Sequence, residues 1–211
     1  MGETNLVVNE KYAKLASEEQ ISHVAQALEA NGIRVFVVEN REEARNKLLE
    51  LLPEKAEVFL SSSTTINELG VVEEIDQSGR YDSVRVKLAS MDRATQGREM
   101  IKMGAVPEYI IGSVHAVTEN GSLIIASNTG SQLAGYAASA ANVVYVVGTH
   151  KIVPTLEEGY KRIEEYSLPL EDVRAMQAYG MHSNISKLLI VHREVTPGRV
   201  SLILVKDKIG F

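Results

Sequence analysis

The sequence predicts an α/β protein built on an open, mainly parallel, layered sheet with helices on both faces. Three observations point there. Short β-branched, apolar runs alternate with segments of helical periodicity over most of the 211 residues. The run from Val143 to Val147 has no polar residue, as expected of a strand buried on both faces. Polar loops rich in Ser, Thr and Gly follow two of the apolar runs, where open α/β folds collect their ligands. The length suits a single domain over residues 1–211, with residues 1–30 as a helical N-terminal extension.

The elements follow in order. Ser17 and Gln20 have capping-box spacing, and Ile21, Val24, Ala25 and Leu28 form one helical stripe that Asn31-Gly32 closes. Ile33–Val38 is a strand, Arg41–Leu52 a helix ended by Pro53, and Val58–Leu60 a strand running into Ser61-Ser62-Ser63-Thr64-Thr65. Ile66–Gln77 is expected as one helix, with Thr65 and Glu68 as its capping box. Tyr81–Leu88 is expected to be extended and Asp92–Met103 helical. Asn120-Gly121 marks a hairpin with a type I′ turn between strands at Tyr109–Thr118 and Ser122–Ala126. Ser131–Ala140 is a helix of small residues. Thr155 and Glu158 cap a further helix, and another begins at Pro169-Leu170 and ends near Tyr179-Gly180. A last hairpin is expected between Lys187–Val195 and Val200–Lys206.

Composition excludes several functions. A net charge of −6 argues against a nucleic-acid partner, which needs clustered Lys and Arg. The basic residues Arg80, Arg85, Lys87, Arg93, Arg98 and Lys102 are the local exception, read chiefly as a solvated face. No cysteine is present, so disulfides, thiolate nucleophiles and a cysteine-held iron–sulfur cluster are excluded. No secretory signal or membrane-length apolar run is visible, and the expected location is the cytoplasm. His23, His182 and His192 show no metal-ligand spacing, so neither metal nor cofactor is expected.

The chemistry lies in four places. Ser61, Ser62, Ser63, Thr64 and Thr65 form a hydroxyl-rich helix start after a strand, and Asn128, Thr129, Gly130, Ser131 and Gln132 form a second. Unpaired N–H groups and hydroxyls at such places attract phosphate or carboxylate, although a capped helix start has the same composition. Neither loop matches a nucleotide-binding motif. Thr149, His150 and Lys151 follow the central strand; a lysine there holds an anion as a point charge and a histidine moves protons. Ser113 and His115 share one face of a strand, with Glu119 at the turn beyond. The ligand expected from these groups is a small anion, with His115, Glu119 and His150 as the candidate proton-transfer residues.

These motifs together resemble the LUD-domain family, also called lactate utilization protein C or YkgG-like. The likeness rests on Ser61–Thr65, on Gly112-Ser113-Val114-His115-Ala116 with Glu119-Asn120-Gly121, and on Ser127–Gln132. It continues in Val147–Val153, Pro169-Leu170-Glu171-Asp172, Arg193-Glu194, Pro197-Gly198-Arg199 and Ile209-Gly210-Phe211. The resemblance implies a fold similar to the NagB/RpiA/CoA-transferase group and a link to lactate oxidation beside iron–sulfur oxidoreductase subunits. Lacking cysteine, this chain would be a ligand-binding or accessory subunit in that chemistry. The alternative is a stand-alone enzyme on a sugar-phosphate or acyl (CoA-type) substrate. A homodimer is expected on general grounds.

Overall fold

The computed structural model describes residues 7–211. Its strands are β1 (Arg34–Val38), β2 (Glu57–Leu60), β3 (Asp82–Ser83), β4 (Tyr109–Gly112), β5 (Ala116–Thr118), β6 (Leu123–Ser127), β7 (Asn142–Gly148), β8 (Ile152–Val153), β9 (Lys187–Val191) and β10 (Val200–Val205). The helices are α1 (Glu18–Ala30), α2 (Arg41–Glu50), α3 (Thr64–Leu69), α4 (Val72–Gln77), α5 (Val84–Ala89), α6 (Arg93–Ala105), α7 (Leu156–Arg162) and α8 (Leu168–Tyr179). Six strands form one sheet in the order β1-β10-β7-β4-β2-β3, every neighbour parallel. A smaller sheet, β8-β5-β6-β9, stands against it. The expected open, mainly parallel α/β architecture is therefore the one observed.

Period-two alternation along β7 and β10 divides the interior in two. Val143, Tyr145, Val147, Leu202 and Leu204 point to one side, where α1 adds Ile21, Val24 and Leu28 and the small sheet adds Val117, Leu123 and Ile125. Val144, Val146, Ile203 and Val205 point to the other, against Ala44 and Leu48 of α2, Ile66 and Leu69 of α3 and Ile75 of α4. The far face of the small sheet buries Ala116, Ile124 and Val153 with Ile163, in the π-helical turn after α7. Among the described residues no helix is long and apolar enough to cross a membrane.

Several elements differ from expectation. The last two strands form no hairpin: β9 pairs with β6 in the small sheet, while β10 runs parallel between β1 and β7. All six residues of β10 are buried, so it needs a cover on both faces that only the interior of the large sheet supplies. Ile66–Gln77 is two helices, because Gly70 takes a left-handed conformation (φ 72°) and ends α3. The expected Thr65/Glu68 box is not formed, and Ser63 holds the N-cap position without a side-chain bond. Val84–Ala89 is helical rather than extended, because the Ser83 hydroxyl accepts from the Val86 N–H and caps it. Tyr109–Thr118 breaks after Gly112, where the chain leaves one sheet for the other. The hairpin at Asn120-Gly121 exists, but as a three-residue loop. Gly121 N–H donates to Thr118 O, and only Gly121 has positive φ (79°), which is a type I turn with a bulge. Of Ser131–Ala140, Gly135–Ser139 forms a single π-helical turn.

Candidate functional site

The parallel strands β2, β4 and β7 end side by side, and the residues after each meet at one cleft of about 710 Å³. Ser61–Thr65 come from the end of β2, Ser113 and His115 from the end of β4, and Lys151 from the short turn after β7. The end of β6 adds Asn128, Thr129, Ser131 and Gln132, and α8 closes the opposite side with Glu171 and Arg174. Twelve of the sixteen residues expected at a site thus line one cleft.

The other four lie elsewhere. Glu119 sits on the hairpin tip, where its carboxylate accepts from Gln20 Nε2 at 3.3 Å. Gly130 (φ 84°) shapes its loop by donating to Ser127 Oγ at 2.9 Å. Thr149 and His150 are buried behind the cleft, and neither side chain finds a hydrogen-bond partner among the described residues.

Lys151 forms the floor. It is 1 % exposed, and its ammonium donates to Thr65 Oγ1 at 3.0 Å and Ser113 Oγ at 3.1 Å. Arg162, wholly buried, donates to His150 O, His115 O and Ser167 Oγ, while Nη2 has no partner among the described residues. All these partners are uncharged, so among the described residues two basic side chains share an interior without a paired carboxylate. Burial, and then the positive charge of Arg162, holds Lys151 well below the usual lysine range, with Glu68 opposing. Burial pushes Arg162 itself down to about 10.

His115 has a defined role in this field. Its Nδ1 accepts the Ala126 N–H at 3.1 Å, which places the ring proton on Nε2. Burial, then Lys151 and Arg162, lower its pKa to about 3. The ring is therefore a neutral hydrogen-bond donor. His150 is lowered further, to about 2, again by burial first. Between its ordinary 6.5 and about 2, the unfolded chain binds a proton that the folded chain refuses, so stability falls as pH falls through that window. At pH 5 the loss should be about 2 kcal/mol from His150. Part of the His115 ring keeps contact with the cleft, so His115 adds less. His150→Leu should narrow the difference between the urea-denaturation stabilities at pH 7 and pH 5 by about 2 kcal/mol. An undiminished difference would place the acid-sensitive group elsewhere.

Two residues not anticipated as site residues support the wall. Tyr136 Oη donates to Ser61 Oγ at 2.7 Å, and the pair closes over Gly112. A β-carbon at Gly112 would overlap both oxygens, so Gly112→Ala should cost about 1–3 kcal/mol in urea denaturation. An unchanged midpoint would show that this contact carries no weight. Tyr136 was legible only as the one aromatic in a helix of small residues, and Arg162 had no sequence signal at all. The polar loop Asn128–Gln132 is partly self-satisfied: Ser127 and Ser131 hydroxyls donate to Gln132 Oε1 at 3.1 and 3.3 Å. Of the six basic residues between Arg80 and Lys102, Arg80, Arg85, Lys87 and Lys102 are ion-paired with neighbouring carboxylates, as a solvated face would be. Arg85 and Arg93 reach the rim of the cleft.

The family model of the LUD domain matches residues 21–205. No curated protein matches the chain. A crystal structure of a DUF162 family protein from Deinococcus radiodurans shares the fold, with a TM-score of 0.54, 16 % identity, and coverage of 91 % of this chain and 99 % of that one. With the family match spanning all but the ends of the chain, the protein belongs to the LUD-domain family.

Proposed function

We propose that the cleft binds a small carboxylate, and that the chain serves as a ligand-binding subunit in the oxidation of lactate or a related hydroxy acid. The observation that carries the anion reading is Lys151, a buried amino group lining the cleft whose hydrogen-bond partners among the described residues are hydroxyls, and whose charge burial and Arg162 oppose until a counter-charge arrives. A buried cation without a counter-charge is costly, and an anionic ligand would supply that charge. His115 Nε2–H and the hydroxyls of Ser113 and Thr65 offer neutral donors around the same point, suited to carboxylate oxygens. The link to lactate rests on the family, and iron–sulfur partner subunits in the cytoplasm would carry the electrons.

A second reading has its own observation. At about 710 Å³ the cleft is large for lactate and falls in the range of pockets that take drug-sized ligands. This favours a longer molecule with one anionic or acyl end at Lys151, such as a sugar phosphate or a CoA-type ester, handled by a stand-alone enzyme. A thermal-shift panel of lactate, pyruvate, sugar phosphates and acyl-CoAs separates the two. A ligand at about 100 times its Kd should stabilise by ~2.7 kcal/mol. Stabilisation by lactate or pyruvate supports the subunit; stabilisation by phosphorylated sugars or CoA esters alone supports the enzyme. Silence from every anion would remove the anion site.

A further inference from the structure

We propose that Ser113 is an activated nucleophile, with Lys151 as its general base and Thr65 orienting that base, able to accept an acyl group from an activated ester or thioester. The inference rests on the cleft being a ligand site but gives it a second, covalent activity. The geometry is that of nucleophile, base and orienting group: Lys151 Nζ lies 3.1 Å from Ser113 Oγ and 3.0 Å from Thr65 Oγ1. Thr65 is itself fixed, donating to Ile209 O at 3.4 Å, with Gly210 packed so closely on it that a β-carbon there would overlap its hydroxyl. Ser113 is half-buried on the cleft wall, at the turn where the chain passes from the large sheet to the small one.

A serine needs a neutral amine beside it, and burial with Arg162 makes the Lys151 ammonium give up its proton more readily than an ordinary lysine. The charged groups that act on Lys151 are Arg162 from α7, which disfavours the ammonium, and Glu68 from α3, which favours it less strongly than burial and Arg162 oppose it. His115 and His150, the nearby imidazoles, are held neutral. The neighbouring hydroxyls are differently placed: Ser61 is engaged by Tyr136 Oη, with no amine as partner. In the reaction, Ser113 Oγ bonds to the ester carbonyl carbon while its proton passes to Lys151 Nζ. The tetrahedral adduct then expels the alcohol or thiol, which takes that proton. Lys151 then takes a proton from water, whose oxygen bonds to the acyl carbon; the bond to Ser113 Oγ breaks, Oγ takes the proton back from Lys151, and the acid leaves. An anion in the cleft would charge Lys151 and block the first step, so anion binding and acylation exclude each other.

The test uses p-nitrophenyl acetate as acyl donor, the full chain, and peptide mapping of the product. One acetyl group should appear on Ser113, be absent from Ser113→Ala, and form ~10²-fold or more slowly in Lys151→Met. The wild-type rate should rise with pH through a midpoint below the usual lysine range. Thr65→Val, which keeps the amine and removes its anchor, should slow labelling as a second check should Lys151→Met fold poorly. Acetylation confined to surface lysines, or equal labelling of Ser113 in wild type and Lys151→Met, would overturn the proposal. Thermal shift of the wild type with lactate, run in parallel, reports the anion site independently: a shift without acetyl-serine removes the serine–lysine pair alone.

Discussion

Arg199→Met should destabilise the protein by about 3–5 kcal/mol, the cost of leaving a buried charge without its partner. Arg199 and Glu194 form an ion pair whose side chains are 7 % and 9 % exposed. The guanidinium also donates to Ala140 O at 3.0 Å, Gly135 O at 2.8 Å and Tyr136 O at 3.0 Å. One side chain thus satisfies the carbonyls at both ends of the π-helical turn Gly135–Ser139, whose widened hydrogen bonding leaves them exposed to desolvation. Burial works against the Glu194 carboxylate, yet the Thr196 N–H and Arg199 together hold it below the usual range. The double variant Arg199→Met/Glu194→Leu should recover part of the loss, because two apolar side chains replace the charges although three carbonyls lose the guanidinium as donor, Gly135 O keeping only the Ala140 N–H. Urea denaturation of the two variants decides it. A double variant as unstable as the single one would locate the cost in the carbonyls alone. The consequence reaches the cleft, since the same turn carries Tyr136, and Tyr136 holds Ser61.

That chain of contacts shows where sequence reading ends. The apolar run Val143–Val147 and the hydroxyls after β2 were legible, because hydrophobic period and loop composition are local properties. Arg193-Glu194 and Pro197-Gly198-Arg199 were visible as motifs, yet their meaning is structural and depends on β10 entering the large sheet between β1 and β7. Sequence neighbours suggested a hairpin instead. The six buried residues of β10 carried the signal for an interior strand, and the Pro-Gly between two apolar runs outweighed it. At the site, the strand ends that meet were predictable from parallel topology. The burial of Lys151 was not, because a lysine after a central strand is ordinarily solvated, and what covers it arrives from α3, α7 and the segment around Gly210. His150 and Glu119 illustrate the same limit. Their positions in the sequence, next to a strand end and at a hairpin tip, do not reveal that one turns into the interior and the other toward α1.

Lys151→Met should have two opposite effects, and their combination is what identifies the cation as a site. The ligand-free variant should melt at or above the wild type. It removes a buried basic group that has no carboxylate partner among the described residues, and replacing buried charge with a well-packed apolar side chain is neutral or stabilising by up to about 4 kcal/mol. The gain should be largest at low pH. Burial lowers the Lys151 pKa in the fold, so between that lowered folded pKa and the ordinary 10.5 the unfolded chain binds the extra proton, and wild-type stability rises with pH across that window. The variant loses this slope. Anion-induced stabilisation should vanish at the same time, a loss of ~2.7 kcal/mol at a ligand concentration 100 times the wild-type Kd. In the wild type, anion affinity should weaken as pH rises through the folded pKa of Lys151, because binding requires the charged form. A residue retained only to pack the interior would lose stability on replacement and leave anion binding intact. One retained to meet an anion should show the reverse, a sturdier protein that no longer responds to its ligand.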